Sequence, residues 1–496
     1  MTHARFSQFL ARAATLALLS ASLGGCVMGP NYQRPQVAQP NQVRFQINQA
    51  DASSFADLAW WDVFKDPALQ SLITQALNNN NDLVVAAARI EQARQLVGVV
   101  RSEALPQIGY NAAGGIAKKP ADDRDTLGPG SYWSGVGILN AAWELDVWGR
   151  IKRATEAARA NMYQQEEIRR GIMLSLVSDV ATGYFHLIQL DRQLAIAQES
   201  NTTFAKTHEL FSLRFNAGRD SRLPVERAKS SLDQSSAQIA DLKRQIALQE
   251  NALSILTGGY PQAIQRGLPL TAQSMPPKTP VGLTTDLMKR RPDIRGAEQA
   301  MIRANAQIGE AIANFYPRIG LSTLFGIIGL AGAGPLNGSS SFWRAGGNLS
   351  GPIFTGGRLE SVYRHHQAFW DETVAQYKQT ILVAFRETSD ALVAQQRLAE
   401  RRAALETQVV ALRQSIDLAL ERYHAGRASY FEVIQAQQEL FPAEDELAQV
   451  QQAQLVAVVN LYKALGGGWN LTDDQFRRHA DGALPRKEQD HASARS

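Results

Sequence analysis

A chain of 496 residues is too long for one close-packed core, so it divides into several domains or stretches into an elongated body. Its 51 Lys and Arg against 47 Asp and Glu leave a formal net charge of +4 spread along the chain, which gives nucleic-acid binding no support. A single cysteine excludes a disulfide framework.

The N-terminus reads as a processed leader. Arg5 and Arg12 precede a largely apolar run, Ala13 to Leu23, closed by Leu23-Gly24-Gly25-Cys26. That is a secretory signal with a lipobox: the small residues at 24 and 25 open the backbone to a signal peptidase, and the Cys26 sulfur would carry a diacylglyceryl group. Acyl chains bury about 0.8 kcal/mol per methylene, enough for lasting anchorage with two or three chains. Residues 1–25 are thus expected to be a signal peptide and residues 26–60 a lipidated segment, extended along the body between Gln33 and Ala56.

The mature chain repeats itself. Pro106-Gln107-Ile108-Gly109 matches Pro317-Arg318-Ile319-Gly320 at a spacing of 211, with Gly98 on Gly309. Trp133 and Leu139 fall on Trp343 and Leu349 at 210, and Arg214-Phe-Asn-Ala-Gly-Arg219 falls on Arg422-Tyr-His-Ala-Gly-Arg427 at 208. The expected organisation is a first repeat at 61–260, a linker at 261–283, a second repeat at 284–468 and a polar tail at 469–496, without order after about Asp474. Each repeat reads as helix, strand, strand, very long helix, helix: 66–104, 106–117, 131–146, 150–216 and 221–257, then 284–315, 318–331, 341–354, 358–424 and 429–465.

The long helices carry the clearest signal. From Val374 to Tyr423 in alternating steps of three and four, twelve of fifteen positions are apolar or Ala. No Pro or Gly interrupts residues 359–424, and about 65 residues at 1.5 Å each make a rod near 100 Å long. The strands alternate instead: Trp343, Ala345, Gly347 and Leu349 share one face, Arg344, Gly346, Asn348 and Ser350 the other, the apolar-out pattern of a transmembrane barrel. Four strands cannot close, and a bilayer tolerates no open sheet edge, so several copies must pool their strands. The fold class is therefore mainly α, with long helical hairpins, plus a transmembrane β-barrel portion to which each chain gives four strands.

The lipobox, Gly29-Pro30-Asn31-Tyr32-Gln33-Arg34-Pro35, Trp60-Trp61 with Phe64-Asp66-Pro67-Leu69, Leu145-Asp146-Val147-Trp148-Gly149-Arg150, Pro352-Ile353-Phe354-Thr355-Gly356-Gly357-Arg358 and Leu465-Gly466-Gly467-Gly468-Trp469 together resemble the outer membrane factors (TolC-like) of tripartite efflux pumps. In particular they resemble the NodT-like lipoprotein branch serving resistance-nodulation-division (RND) transporters. The resemblance implies a homotrimer with a twelve-stranded outer membrane barrel and a periplasmic tunnel of twelve helical rods. It also implies a periplasmic adaptor and an inner membrane RND transporter as partners; Val27 after the cysteine points to outer membrane lipid. Gly149, Gly356 and Gly357 would be strand-to-helix hinges. The family's gate would lie in the turns Phe215 to Pro224 and Tyr423 to Glu432, making Phe215, Arg219, Tyr423, Arg427, Glu432 and Gln435 the candidates. Tyr423 matches a tyrosine that ties neighbouring coiled coils, and Glu432 one of two acidic positions; Gln435 stands at the second. Pro224 and Leu223 replace residues that link the hairpins in some relatives. Three Glu432 carboxylates at a threefold axis would repel one another and favour cations at the entrance; the alternative for Glu432 is a solvated helix-start carboxylate.

Nothing assembles a nucleophile, a base and an orienting group, so no enzyme is expected. Of 8 scattered histidines, His365 and His366 point about 100° apart on a helix, poor spacing for a metal. Gly466-Gly467-Gly468 follows a helix, which makes it a stop and not a phosphate cradle, so no cofactor is expected. The expected function is passive export of drugs or other small toxic compounds. A type I protein secretion channel is the nearer alternative, and a structural coiled-coil lipoprotein a further one.

Overall fold

The computed structural model describes residues 27–37, 44, 58–118, 131–273, 288–331 and 339–468. The leader with Cys26, most of 38–57, the linker residues 274–283 and the tail from residue 469 lie outside the described residues. In chain order the elements are α1 (Trp60–Val63), α2 (Pro67–Asn79), α3 (Asn81–Ser102), β1 (Gln107–Lys118), β2 (Ser131–Leu145), α4 (Arg150–Asn216), α5 (Arg222–Leu256), α6 (Pro292–Ala313), β3 (Arg318–Ala331), β4 (Ser339–Ser350), α7 (Arg358–His424) and α8 (Tyr430–Ala464).

Helices α4 and α7 have 67 residues each, about 100 Å of rise. The apolar seam explains why α7 stays helical: all fifteen positions from Val374 to Tyr423 are buried or half-buried, including the polar Thr388, Gln395 and Arg402. Helix α4 holds a window apolar enough to cross a bilayer, but 61% of that window is buried, so its apolar side chains serve the core.

Three expected elements are corrected. The helix at 66–104 is two helices, because Asn80 adopts an extended backbone (φ −67°, ψ 127°). The Asn80 side chain accepts from the Asp82 N–H at 2.9 Å and donates to the Leu256 carbonyl at 3.0 Å, capping α3. The helix at 284–315 is interrupted at Arg291, since Pro292 supplies no N–H and pushes the preceding residue out of the helical region. The strand at 341–354 is shifted to Ser339–Ser350, Pro352 being unable to donate to a ladder.

The chain forms two compact units, one of residues 1–36, 88–166 and 296–378, the other of 37–87, 167–295 and 379–496. The first holds an antiparallel sheet in the order β1-β2-β3-β4. Tyr110 lies opposite Leu139, Leu139 opposite Phe325 and Phe325 opposite Trp343, so one face is an apolar belt across all four strands. That belt is bare in the single chain: Tyr110 is 85% exposed, Trp343 77% and Leu349 70%. The other face carries Asn111, Asn140, Ser322, Arg344 and Asn348. An apolar outer belt over a polar inner face is the alternation of a membrane barrel wall. Among the described strands β1 pairs only with β2, and β4 only with β3, so both outer edges stand open.

The second unit has an apolar core in which Trp60, Tyr184, Tyr462, Leu69, Ile73 and Leu187 are almost completely buried. Asp66, 1% exposed, organises it. Its carboxylate accepts from Ala68 N–H (2.9 Å), Tyr184 OH (2.9 Å), Leu268 N–H (3.0 Å) and Gln273 Nε2 (2.7 Å).

Candidate functional site

The residues expected to gate gather at the two helix turns of the second unit. Both turns close in the same way: the Gly218 and Gly426 N–H groups reach the Phe215 and Tyr423 carbonyls at 2.9 Å, and the Arg219 and Arg427 N–H groups reach the Arg214 and Arg422 carbonyls. This closure needs a left-handed residue, and both glycines have φ of +69°. The repeated Ala-Gly-Arg thus has a local cause, a tight reversal from a very long helix into its partner.

The two hairpins are tied by a side chain that the sequence reading did not single out. Arg214 donates to the Tyr423 hydroxyl at 2.6 Å and to the Asp220 carboxylate at 2.6 Å. The Tyr423 ring meets Tyr430 edge-on at 4.9 Å, Tyr430 meets Phe211 at 5.1 Å, and the Tyr430 hydroxyl lies 3.3 Å from Thr207 Oγ1. Phe211, Ala228 and Ile434 form a small apolar cluster beneath. The available signal was the repeat itself, which aligns Arg214 with Arg422 three residues before each turn alanine. Beside these groups is a cleft of about 370 Å³, lined by Leu223, Pro224, Phe431 and the Arg227 guanidinium, which lies over the Phe431 ring.

The other candidates do not join this cluster. Glu432 is exposed and sits 3.4 Å from Arg422, while Gln435 donates along its own helix to Glu439 at 3.2 Å. Phe215, Arg219 and Arg427 are exposed at the turns. Gly149, Gly356 and Gly357 lie in the first unit, between β2 and α4 and between β4 and α7, all with positive φ. A Cβ on Gly149 would stand 3.0 Å from the Val27 backbone, so a side chain there would push the N-terminal segment away.

That segment is firmly held within the first unit. The Met28 N–H reaches the Trp148 carbonyl at 3.1 Å, and the buried Arg153 donates to the Met28, Gly29 and Pro30 carbonyls and to Asn31 Oδ1. Gly29 packs on Gly309 so closely that a Cβ on it would meet the helix backbone at 2.5 Å. Tyr32 and Arg34 both donate to Glu298, and burial, together with the Glu298 charge, pushes the Tyr32 hydroxyl pKa up. Among the described residues no three His, Cys, Asp or Glu side chains come together as a metal site; the His365 and His366 rings are 5.2 Å apart, edge to face.

The profile of the outer membrane efflux protein family matches residues 72–259 and 283–467. The solvent efflux pump outer membrane protein SrpC of Pseudomonas putida is 36% identical over 461 residues, spanning 91% of this chain and 97% of that one. The cation efflux system protein CusC of Escherichia coli is 31% identical over 455 residues, again 91% and 97%. The open state of the MtrE outer membrane channel of Neisseria gonorrhoeae superposes with a TM-score of 0.80 at 28% identity, covering 90% of this chain and 99% of that one. A four-stranded sheet with one apolar face, two very long helical hairpins and these likenesses lead to one conclusion: the chain belongs to the outer membrane efflux protein family and is an efflux channel of the outer membrane.

Proposed function

We propose that three copies of the chain form the exit duct of a tripartite RND-type pump, their twelve strands closing one barrel and α4, α5, α7 and α8 walling a periplasmic tunnel. The observation that carries this reading is the sheet, apolar on one face and, among the described strands, unpaired at both edges. In hydrocarbon each unpaired backbone group costs several kcal/mol, so four strands must find further strands. A periplasmic adaptor and the inner membrane transporter would engage at the hairpin turns, where the half-apolar cleft offers a docking surface. Transport through the duct itself is passive, and the solvent efflux name of the relative SrpC favours small apolar toxic compounds as cargo.

The gate would be the Arg214 link to Tyr423, with Glu432 and Gln435 at the entrance and Phe215, Arg219 and Arg427 around the turns. Gly149, Gly356 and Gly357 would let the long helices swing against the strands. Cys26 would carry lipid, as the lipobox Leu23-Gly24-Gly25-Cys26 supports. Residues 1–25 would be removed, leaving an N-terminal anchor at 26–60, repeats at 61–260 and 284–468 joined by 261–283, and a polar tail. Reconstitution in planar bilayers tests the reading: purified protein should give rare, small openings that Tyr423→Ala makes frequent, and the absence of any conductance in both would end it.

A further inference from the structure

The open edges of the sheet carry a register. Gln107 pairs with Ala142, and its repeat equivalent Arg318, 211 residues on, pairs with Ser350. Ala142 and Ser350 are therefore equivalent at a spacing of 208, the spacing of Gly149 and Gly357 and not the 210 that lays Trp133 on Trp343. The even difference keeps every side chain on its face but moves its partner by two residues. Within one chain the repeats meet where β2 pairs with β3, and there Ala142 lies opposite Ser322, the equivalent of Asn111. Going from Gln107 through Ala142 to Ser322, the sheet thus steps four residues per repeat.

We infer that the seam between two copies repeats this internal junction, with β4 of one copy antiparallel to β1 of the next and Ser350 directly opposite Asn111. This rests on the oligomeric duct proposed above. The same register sets Leu349 opposite Ala112 and Asn348 opposite Ala113. Leu349 is 70% exposed in the single chain, while the equivalents of this pair, Ala141 and Thr323, already face each other inside it. A closed barrel needs one consistent stagger, and a four-residue step at the seam gives every strand the same tilt. Polar Ser350 and Asn111 then share the inner face, and Leu349 and Ala112 the outer one.

Disulfide trapping tests the register. Directly opposite residues have Cα atoms about 5 Å apart; a pair displaced by two residues is about 8 Å apart, beyond the reach of about 7 Å that a disulfide allows. Oxidised, detergent-solubilised N111C/S350C protein should show about tenfold more covalent trimer than A113C/S350C, the pair favoured by the 210 spacing, and the single variants N111C and S350C none. Equal or greater trapping of A113C/S350C, or trapping of neither in protein that native mass spectrometry finds trimeric, would overturn the register and leave the trimer. A single-chain mass with no trapping in any variant would overturn both.

Discussion

Replacing Tyr423 by Phe would remove one oxygen atom and keep the ring, isolating the hydrogen bond that Arg214 donates to it at 2.6 Å. A hydrogen bond to a charged partner contributes about 1.5–3 kcal/mol, and with both groups half-buried the lower end, about 1.5 kcal/mol per chain, applies. That is about tenfold in the closed-to-open ratio of one hairpin pair, and three coupled chains would compound it to about a thousandfold. Tyr423→Ala also removes the edge contact to Tyr430 at 4.9 Å and the guanidinium over the ring at 5.9 Å, about 1 kcal/mol more per chain. Single-channel recording should therefore rank open probability as wild type, then Phe, then Ala. A Phe variant as closed as wild type beside an open Ala variant would assign the tie to ring packing. Two closed variants would remove Tyr423 from the gate.

Asp66→Ala should lower the melting temperature of the solubilised protein by the equivalent of about 3 kcal/mol or more, because Tyr184, Leu268 and Gln273 each lose a buried acceptor; an unchanged melt would contradict that network. Phe325→Arg, on the apolar belt, should cost about 2–4 kcal/mol per chain and reduce barrel insertion, whereas Asn140→Arg on the opposite face should insert normally; equal yields would contradict the facing. Burial raises the Glu310 carboxyl pKa against the opposing pull of Arg150, so ionising it costs more in the folded chain than in the unfolded one and stability falls as pH rises through and above the ordinary carboxylate range. Glu310→Gln should flatten that part of the pH–stability profile and raise stability at neutral pH; a parallel profile would show that other groups set it. Cys26→Ser should weaken anchorage and leave the protein in the membrane fraction through its strands, so a fully soluble variant would contradict the strand assignment.

Elements governed by simple periodicity were legible in the sequence. The long helices were expected at 150–216 and 358–424 and run over those residues; a seam without Gly or Pro defines the second, and a following Ala-Gly-Arg ends both. The strand faces followed from period-two alternation. What stayed hidden depends on distant partners. The Asn-rich stretch 78–81 could have signalled the break at Asn80, but its cap is completed by the Leu256 carbonyl, 176 residues away. The seating of Met28 to Asn31 on Arg153 and of Gly29 on Gly309 has no local pattern, because a glycine in a helix can equally be a defect or a docking floor. At the turns Tyr423 was singled out through resemblance, while its donor Arg214 emerged only once the hairpins were seen side by side.

Native mass spectrometry of the detergent-solubilised full chain bears most directly on how the duct is made. Three chains per particle, with no folded single chain at the same detergent concentration, is the expected result, since the described residues of each copy supply four strands with an unpaired edge on either side. A stable particle of one chain that still inserts and conducts would contradict it.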